Sequence, residues 1–373
     1  MANSQHSIAG AVLSIDLGAI CDNWRSLQGR LAAGAECAAV VKADAYGLGA
    51  RPVAAALYRA GCRRFFVAHL DEAIALRPVL ADDAAIHVLH GAHPGAEAEF
   101  VAHRLLPVLN SLPQVAAWRR LAERLDKMLP ALLQVDTGMA RLGLAADEVD
   151  AIAGDRAMLN GIDLRFVISH LACAEDQDHP ANAAQLGRFR AALARLPRAG
   201  ASLANSSGIF LGGDYHFDLV RPGAALYGVA PVAGQANPLR PAIRLQGRVV
   251  QTRCIAPGTA VGYSHTWTAT RRSRIATVAV GYADGYLRSL SNRGQVFCDG
   301  VCLPLVGKVS MDTITIDITD LPEGRLGEGS LLDLADPVHG VDAIAARAGT
   351  IGYEILTSLG NRYARLYIEP ELG

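Results

Sequence analysis

The sequence predicts a (β/α)8 barrel of the TIM type followed by a mostly-β domain, and three observations predict it. Short apolar runs alternate with longer amphipathic stretches from about Ala38 to Gly228. There are eight such runs, at 37–43, 63–69, 85–91, 105–110, 130–136, 164–170, 201–207 and 217–223. Beyond about Pro238 the texture changes to alternating Val, Ile and Thr broken by glycine turns. Short apolar runs bounded by turn residues suit strands buried on both faces of a parallel sheet, and eight βα repeats close such a sheet into a barrel.

The helical partners lie between the runs. Stretches 50–61, 71–81, 112–128 and 182–196 carry apolar residues at three- and four-residue spacing, the period of a helix with one buried stripe. The β texture is clearest in 244–258, 274–286 and 312–321. A boundary follows near 234–241, so residues 12–237 are read as the barrel and 238–373 as the β domain, with segment 1–11 associated with the latter. At 373 residues two domains are expected.

Composition narrows the functional classes. Half of the residues are apolar (51%) and the formal net charge is −1, so the chain can bury a large core and has no electrostatic attraction to nucleic acid. The partner is a small molecule or a second copy. No basic leader opens the chain and no apolar run is long enough to span a bilayer, which predicts a soluble, cytoplasmic protein without membrane contact. Seven scattered cysteines lack CxxC spacing, which fits reduced thiols rather than a disulfide or zinc framework, and no metal is expected.

Lysine is scarce. Only Lys42, Lys127 and Lys308 stand among thirty-five basic residues, so amine chemistry has three candidates. Lys127 lies on a charged helical face, and Lys308 follows Gly307 in the β domain, where a structural role is expected. Lys42 follows Ala38-Ala39-Val40-Val41 at the end of a buried strand and precedes a glycine-bearing turn. That places it at the barrel mouth, where a desolvated amine becomes nucleophilic; a lysine stem snorkelling from a strand end is the plain alternative.

Other residues reach the same rim. Arg221 and Gly223 end the eighth run, with Ala224 next, and Asn205 and Ser206 end the seventh; each alone reads as a common turn, but together at adjacent strand ends they suit an anion such as a phosphate. Arg141 follows the fifth run, where it either grips a carboxylate or pairs with Asp136. His170 ends the sixth and reads as a cofactor neighbour or a satisfied structural group.

Taken together, 41–49, 135–143, 169–172, 220–228, 281–285 and 310–312 resemble the alanine racemase family across nearly the whole chain. The resemblance implies a barrel that binds pyridoxal 5'-phosphate and a homodimer whose sites use both subunits. Lys42 would carry the cofactor as a Schiff base, with Tyr46, Ser206, Gly223, Ala224 and Tyr353 on its phosphate and Asn205 and His170 lining its pocket. Arg221 would face the pyridine nitrogen; because a guanidinium does not readily release its proton, the ring nitrogen would stay unprotonated and side reactions would be restricted. Arg141 and Met311 would bind substrate, and Tyr282 would guard the entrance. Tyr263, otherwise an ordinary strand tyrosine, matches the second base, contributed across the dimer.

The implied reaction interconverts L- and D-alanine through an external aldimine flanked by two bases, Lys42 for D-alanine and Tyr263 for L-alanine, and supplies D-alanine to peptidoglycan. His170 and Arg141 are expected to help lower the pKa of the phenol. One position departs from the family. Many members carry a lysine, often carbamylated, seven residues before the substrate-binding arginine, and here Gln134 stands there, so Gln134 or a bound anion is expected to orient Arg141. Ser310 stands where some members have cysteine, with no consequence expected. Competing readings are a broader-specificity racemase, a pyridoxal-phosphate decarboxylase, which would usually place an acid where Arg221 stands, and a non-catalytic cofactor carrier, which would not need the β domain.

Overall fold

A computed structural model describes residues 8–369, and the chain divides into two compact units, Ile20–Leu239 and the combined stretches Met1–Ala19 and Arg240–Gly373. The first described strand, β1 (Ala11–Asp16), belongs to the second unit, and the barrel follows it in the chain. Barrel strands follow in order: β2 (Glu36–Cys37), β3 (Ala39–Val40), β4 (Arg64–Val67), β5 (Ala85–Val88), β6 (Leu106–Leu109), β7 (Leu129–Gln134), β8 (Ile162–Ile168), β9 (Gly200–Ser202) and β10 (Leu219–Val220).

Strands β3 to β9 form one parallel sheet in chain order, and β10 pairs parallel with β2. Backbone hydrogen bonds close the ring on both sides of β10. Arg221 N–H donates to Ala204 O at 2.9 Å on one side, and Ala38 and Val40 N–H donate to Val220 and Pro222 O at 3.0 and 2.9 Å on the other. Because β2 and β3 are one extended stretch interrupted at Ala38, each of the eight apolar runs contributes one strand position. The fold class is a (β/α)8 barrel with a mostly-β C-terminal domain.

The interior is filled by Ala38, Val40, Phe66, Val108, Leu132, Phe166, Ile168 and Leu219. Large and small side chains mix because a closed barrel leaves room for only some bulky groups. His87 on β5 is an anomaly in this core. It is fully buried, it stacks on Phe66 with centroids 4.5 Å apart, and neither ring nitrogen has a hydrogen-bond partner among the described residues.

Burial, and then the charges of Arg64 and Arg221, push the His87 pKa down to about 3 from an ordinary 6.5. Below pH 6.5 the unfolded chain therefore binds a proton that the folded chain refuses, and stability is lost as pH falls from 6.5 toward 3. This residue alone should remove on the order of 3 kcal/mol by pH 4. His87→Leu is expected to abolish that share and to leave neutral-pH stability equal or higher, as measured by urea unfolding at pH 7 and pH 4.5; an unchanged difference between the two pH values would refute it.

The β unit continues with β11 (Ile243–Ile255), β12 (Ala260–Val261), β13 (Trp267–Thr268), β14 (Ser273–Val278), β15 (Gln295–Cys298), β16 (Val301–Pro304), β17 (Ile314–Asp317), β18 (Leu331–Ala335) and β19 (Ala364–Ile368). The long strand β11 organises it. One end pairs antiparallel with β1 and β18, and after a register shift between Val249 and Gln251 the other end pairs with β14. β1 also pairs parallel with β19.

The sequence places residues from 12 onward in the barrel, whereas residues 12–19 fall in the β unit. The physical reason is that Val12, Leu13 and Ile15 are buried in a strand held between β11 and β19. Of the segment 1–11, residues 1–7 lie outside the described residues. Among the described residues no helix is long and apolar enough to cross a membrane.

Candidate active site

The site is built at the carboxyl ends of the barrel strands. After β3, Val41 N–H is fixed to Phe66 O at 2.8 Å, and Lys42 leaves the sheet at the next residue. Ala43, Asp44, Ala45 and Tyr46 then adopt φ of 52, 52, 53 and 55°, a full left-handed turn without a glycine. Each such residue costs about 1–2 kcal/mol, so the turn needs external support.

Glu72 supplies much of it. Its carboxylate accepts Ala43 N–H at 2.5 Å and, from the end of the neighbouring strand, Ala68 and His69 N–H at 2.8 and 3.0 Å. Asp44 adds a second tie by accepting Ala50 N–H at 2.7 Å. Sequence reasoning missed Glu72; an acidic residue in the first turn of helix Leu70–Leu76 looks like an ordinary dipole complement.

Lys42 is only partly exposed. Burial, and then the positive charge of Arg141, lower its pKa, while Glu72 opposes them. A lowered pKa enlarges the fraction of neutral amine, the form that attacks an aldehyde or takes a proton.

Around the rim the other predicted residues take distinct positions. Arg221 is buried and donates to Ser202 Oγ and Ser169 O. Burial pulls its pKa down to about 10, still far enough above neutrality to keep the guanidinium charged. Ser202 and Ser169 are further residues that sequence reasoning passed over. Burial, and then Arg221, Arg141 and Lys42, push the His170 pKa down to about 3. His170 is therefore neutral at neutral pH, so of the cationic or donor roles open to it beside a phenol it keeps that of a hydrogen-bond donor.

Asn205 accepts Gly208 N–H at 2.9 Å through Oδ1, and its amide reaches Leu171 O at 3.4 Å, so it ties the ends of β8 and β9 together. Ser206 Oγ accepts from Gly223 N–H at 2.9 Å and from Ala225 N–H at 3.2 Å. Ala224 opens the short turn Ala224–Tyr227 beside them. Tyr46 packs on Tyr227 with ring centroids 4.9 Å apart and lies close to Gly223.

A Cβ on Gly223 would overlap the Tyr46 hydroxyl and meet Val40 Cβ at 3.3 Å. The Ser206 and Tyr46 hydroxyls thus meet beside a position that only glycine can occupy, and they have the hydrogen-bonding chemistry a phosphate requires. Gly223→Val is expected to weaken pyridoxal-phosphate retention at least about 10-fold by displacing Tyr46, since about 1.4 kcal/mol of misfit is enough. Equilibrium dialysis against the wild type checks this.

Arg141 is exposed, and its guanidinium makes no hydrogen bond or ion pair among the described residues. The alternative pairing with Asp136 is not formed. The Asp136 carboxylate instead accepts the N–H groups of Gly138, Met139 and Ala140. Gln134 is buried and donates to Leu142 O at 3.1 Å, so it holds the backbone next to Arg141 rather than the guanidinium itself.

The remaining predicted residues belong to the β unit. Tyr263 is 69% exposed on the loop between β12 and β13, beside a cavity of about 610 Å³ whose lining includes Thr259, Thr277 and Ser310. Tyr282 and Met311 are neighbours: Tyr282 N–H donates to Ser310 O and Ala283 N–H to Met311 O, both at 3.0 Å. Arg362 locks the two motifs by donating to Asp284 at 2.6 and 2.8 Å and to Asp312 at 2.7 Å. Tyr353 lies on the helix Gly352–Ser358. The barrel residues thus form one cluster and Tyr263, Tyr282 and Met311 another, each within its own unit.

A parallel barrel that gathers a partly buried amine, guanidinium groups and the Gly223 turn at one rim has the build of an enzyme with its site at the strand ends. Residues 15–231 match the family model for the alanine racemase N-terminal domain, and residues 242–367 match that for the alanine racemase C-terminal domain. The chain is 52% identical over 365 residues to the catabolic alanine racemase of Agrobacterium fabrum, covering 98% of this chain and 94% of that protein. It is 52% identical over 373 residues to the alanine racemase of Brucella canis, covering 96% and 94%. Its fold is similar to that of Bartonella henselae alanine racemase with covalently bound pyridoxal phosphate, at a TM-score of 0.93 and 44% identity over 96% of this chain and 100% of that one. The chain belongs to the alanine racemase family and is an isomerase.

Proposed function

We propose that this protein interconverts L- and D-alanine with pyridoxal phosphate held by Lys42. The observation that carries the reading is the amine itself, partly buried at the barrel rim with its pKa lowered and with two guanidinium groups nearby. Ser206, Gly223, Ala224 and Tyr46 fit the phosphate of that cofactor, with Tyr353 as a further contact. Asn205 and His170 would line its ring, and Arg221 would face the ring nitrogen. When bound, the cofactor supplies an electron sink that makes the Cα–H bond of alanine acidic.

The protein then handles one proton on each face of Cα. From D-alanine Lys42 Nζ takes the Cα proton and the Tyr263 phenol delivers one to the opposite face; from L-alanine the ionised Tyr263 oxygen takes the proton and the Lys42 ammonium delivers one. Arg141 binds the substrate carboxylate, with Gln134 holding its backbone, while Met311 contacts the substrate and Tyr282 guards the entrance. Arg221, charged at neutral pH, keeps its proton and so does not hand it to the ring nitrogen.

A homodimer with shared sites is part of this reading. Tyr263 and Met311 are 69% and 53% exposed on the β unit, an unusual position for a base and a substrate contact unless a second copy covers them. A cytoplasmic location fits the seven free cysteines. Relatives are named both as alanine racemases and as catabolic alanine racemases. Because racemisation runs equally in both directions, supply of D-alanine to peptidoglycan and consumption of D-alanine are both compatible with one chemistry.

Incubation of the purified protein with L-alanine and pyridoxal phosphate tests the reading. D-alanine is the expected product. Carbon dioxide would instead indicate a decarboxylase, and no reaction a cofactor carrier. Parallel incubation with L-serine measures breadth; one added hydroxyl is a weak basis for rejection, so slow turnover is expected.

A further inference from the structure

We propose that Lys308 and Asn292 are positioning residues that hold the Tyr263 loop in its working geometry, an inference that rests on Tyr263 being the second base. β12 and β13 pair as a hairpin through Ala260↔Thr268 and Val261↔Trp267, and residues 262–266 form its tip. Gly262, Ser264 and His265 all have positive φ, at 75, 59 and 46°. Two of them carry side chains, so the tip is strained and would relax if unsupported. Tyr263 itself makes no hydrogen bond among the described residues, so only the loop backbone sets where its phenol points.

Support comes from two other segments. Lys308 Nζ donates to Ser264 Oγ at 2.9 Å, immediately after Tyr263. Asn292 Nδ2 donates to Thr266 Oγ1 at 3.1 Å, while Asn292 Oδ1 accepts Gly307 N–H at 2.7 Å. Gly307 brings its backbone flush to the loop root, because a Cβ there would meet Val261 O at 2.9 Å. Asn292 also donates its own N–H to Gly307 O at 3.1 Å. One asparagine thus clamps the root and the far end of the tip, and one lysine clamps its middle.

The two bonds that reach the tip, Lys308 to Ser264 and Asn292 to Thr266, are solvent-exposed, so they contribute little to global stability. A lysine stem gives up rotamer freedom when tied down in this way, which argues for a local purpose. Misplacing a reacting group by about 1 Å can cost on the order of 100-fold in rate.

The test uses full-length holoenzyme carrying Lys308→Met, Lys308→Arg or Thr266→Val, the last deleting the hydroxyl that Asn292 holds while leaving the Asn292–Gly307 bonds in place. Amide hydrogen exchange across 261–266 is expected to accelerate in Lys308→Met and Thr266→Val with unfolding midpoints unchanged. Turnover should fall about 10-fold, and Lys308→Arg should recover most of it. The primary isotope effect with α-deuterated L-alanine should rise while that with α-deuterated D-alanine falls, because only the Tyr263 step has slowed. Unchanged exchange at the tip, or isotope effects that shift equally from both substrates, would overturn the proposal. If Tyr263→Phe retains full turnover, the base assignment fails instead, and the two failures are thereby told apart.

Discussion

Lys42→Ala is expected to lose the long-wavelength absorbance of covalently held cofactor together with at least about 10³-fold of racemase activity. Removal of the amine deletes both the attachment point and a proton carrier, and a positioned acid or base alone contributes about 10²–10⁴-fold. The fold should survive, because the left-handed turn after Lys42 is held by Glu72 and Asp44 through backbone N–H groups and not by the lysine amine. The matching chemical test is borohydride reduction followed by peptide mapping. Lys42 is the expected modified residue; modification of Lys127 or Lys308 in cofactor-replete protein would remove the basis of the proposed function.

Tyr263→Phe should lose about 10²–10⁴-fold in turnover while retaining cofactor, since only an exposed hydroxyl is deleted. The two faces of Cα make a sharper version of the same experiment possible. In deuterium oxide the variant should still exchange the α-proton of D-alanine through Lys42, without producing L-alanine. Exchange from L-alanine should nearly stop. Equal exchange from both enantiomers would show that Tyr263 is not the base for L-alanine.

The barrel was legible because burial on both strand faces forces short apolar runs, and each of the eight runs contains a strand position in the closed ring. Lys42 and Arg221 were legible for a related reason: a charged residue ending such a run has to emerge at the rim. The left-handed turn was not. Ala43 to Tyr46 contain no glycine, and the acid that sustains their conformation lies 29 residues farther along the chain. Local propensity holds no trace of a contact that only the closed sheet creates. The neutrality of His170 was equally hidden, because it follows from burial and from charges carried by three other strand ends. Asp136 read as a partner for Arg141, yet its carboxylate serves its own loop, as short aspartate side chains commonly do. Tyr263 carried no chemical signal of its own; its role came from the resemblance, and its lone, exposed position is what the structure adds.

The parallel seat of β19 beside β1 bears on how the molecule is made. Strand β1 precedes the barrel in the chain and waits with both edges bare until β11 is made, and with one still bare until β19 follows, about 350 residues after β1. An exposed apolar strand edge is a template for unwanted pairing. Trimming the stretch Ala364–Ile368 should therefore show itself first as clumping during expression, through naked amides on the opening strand, with the barrel itself intact.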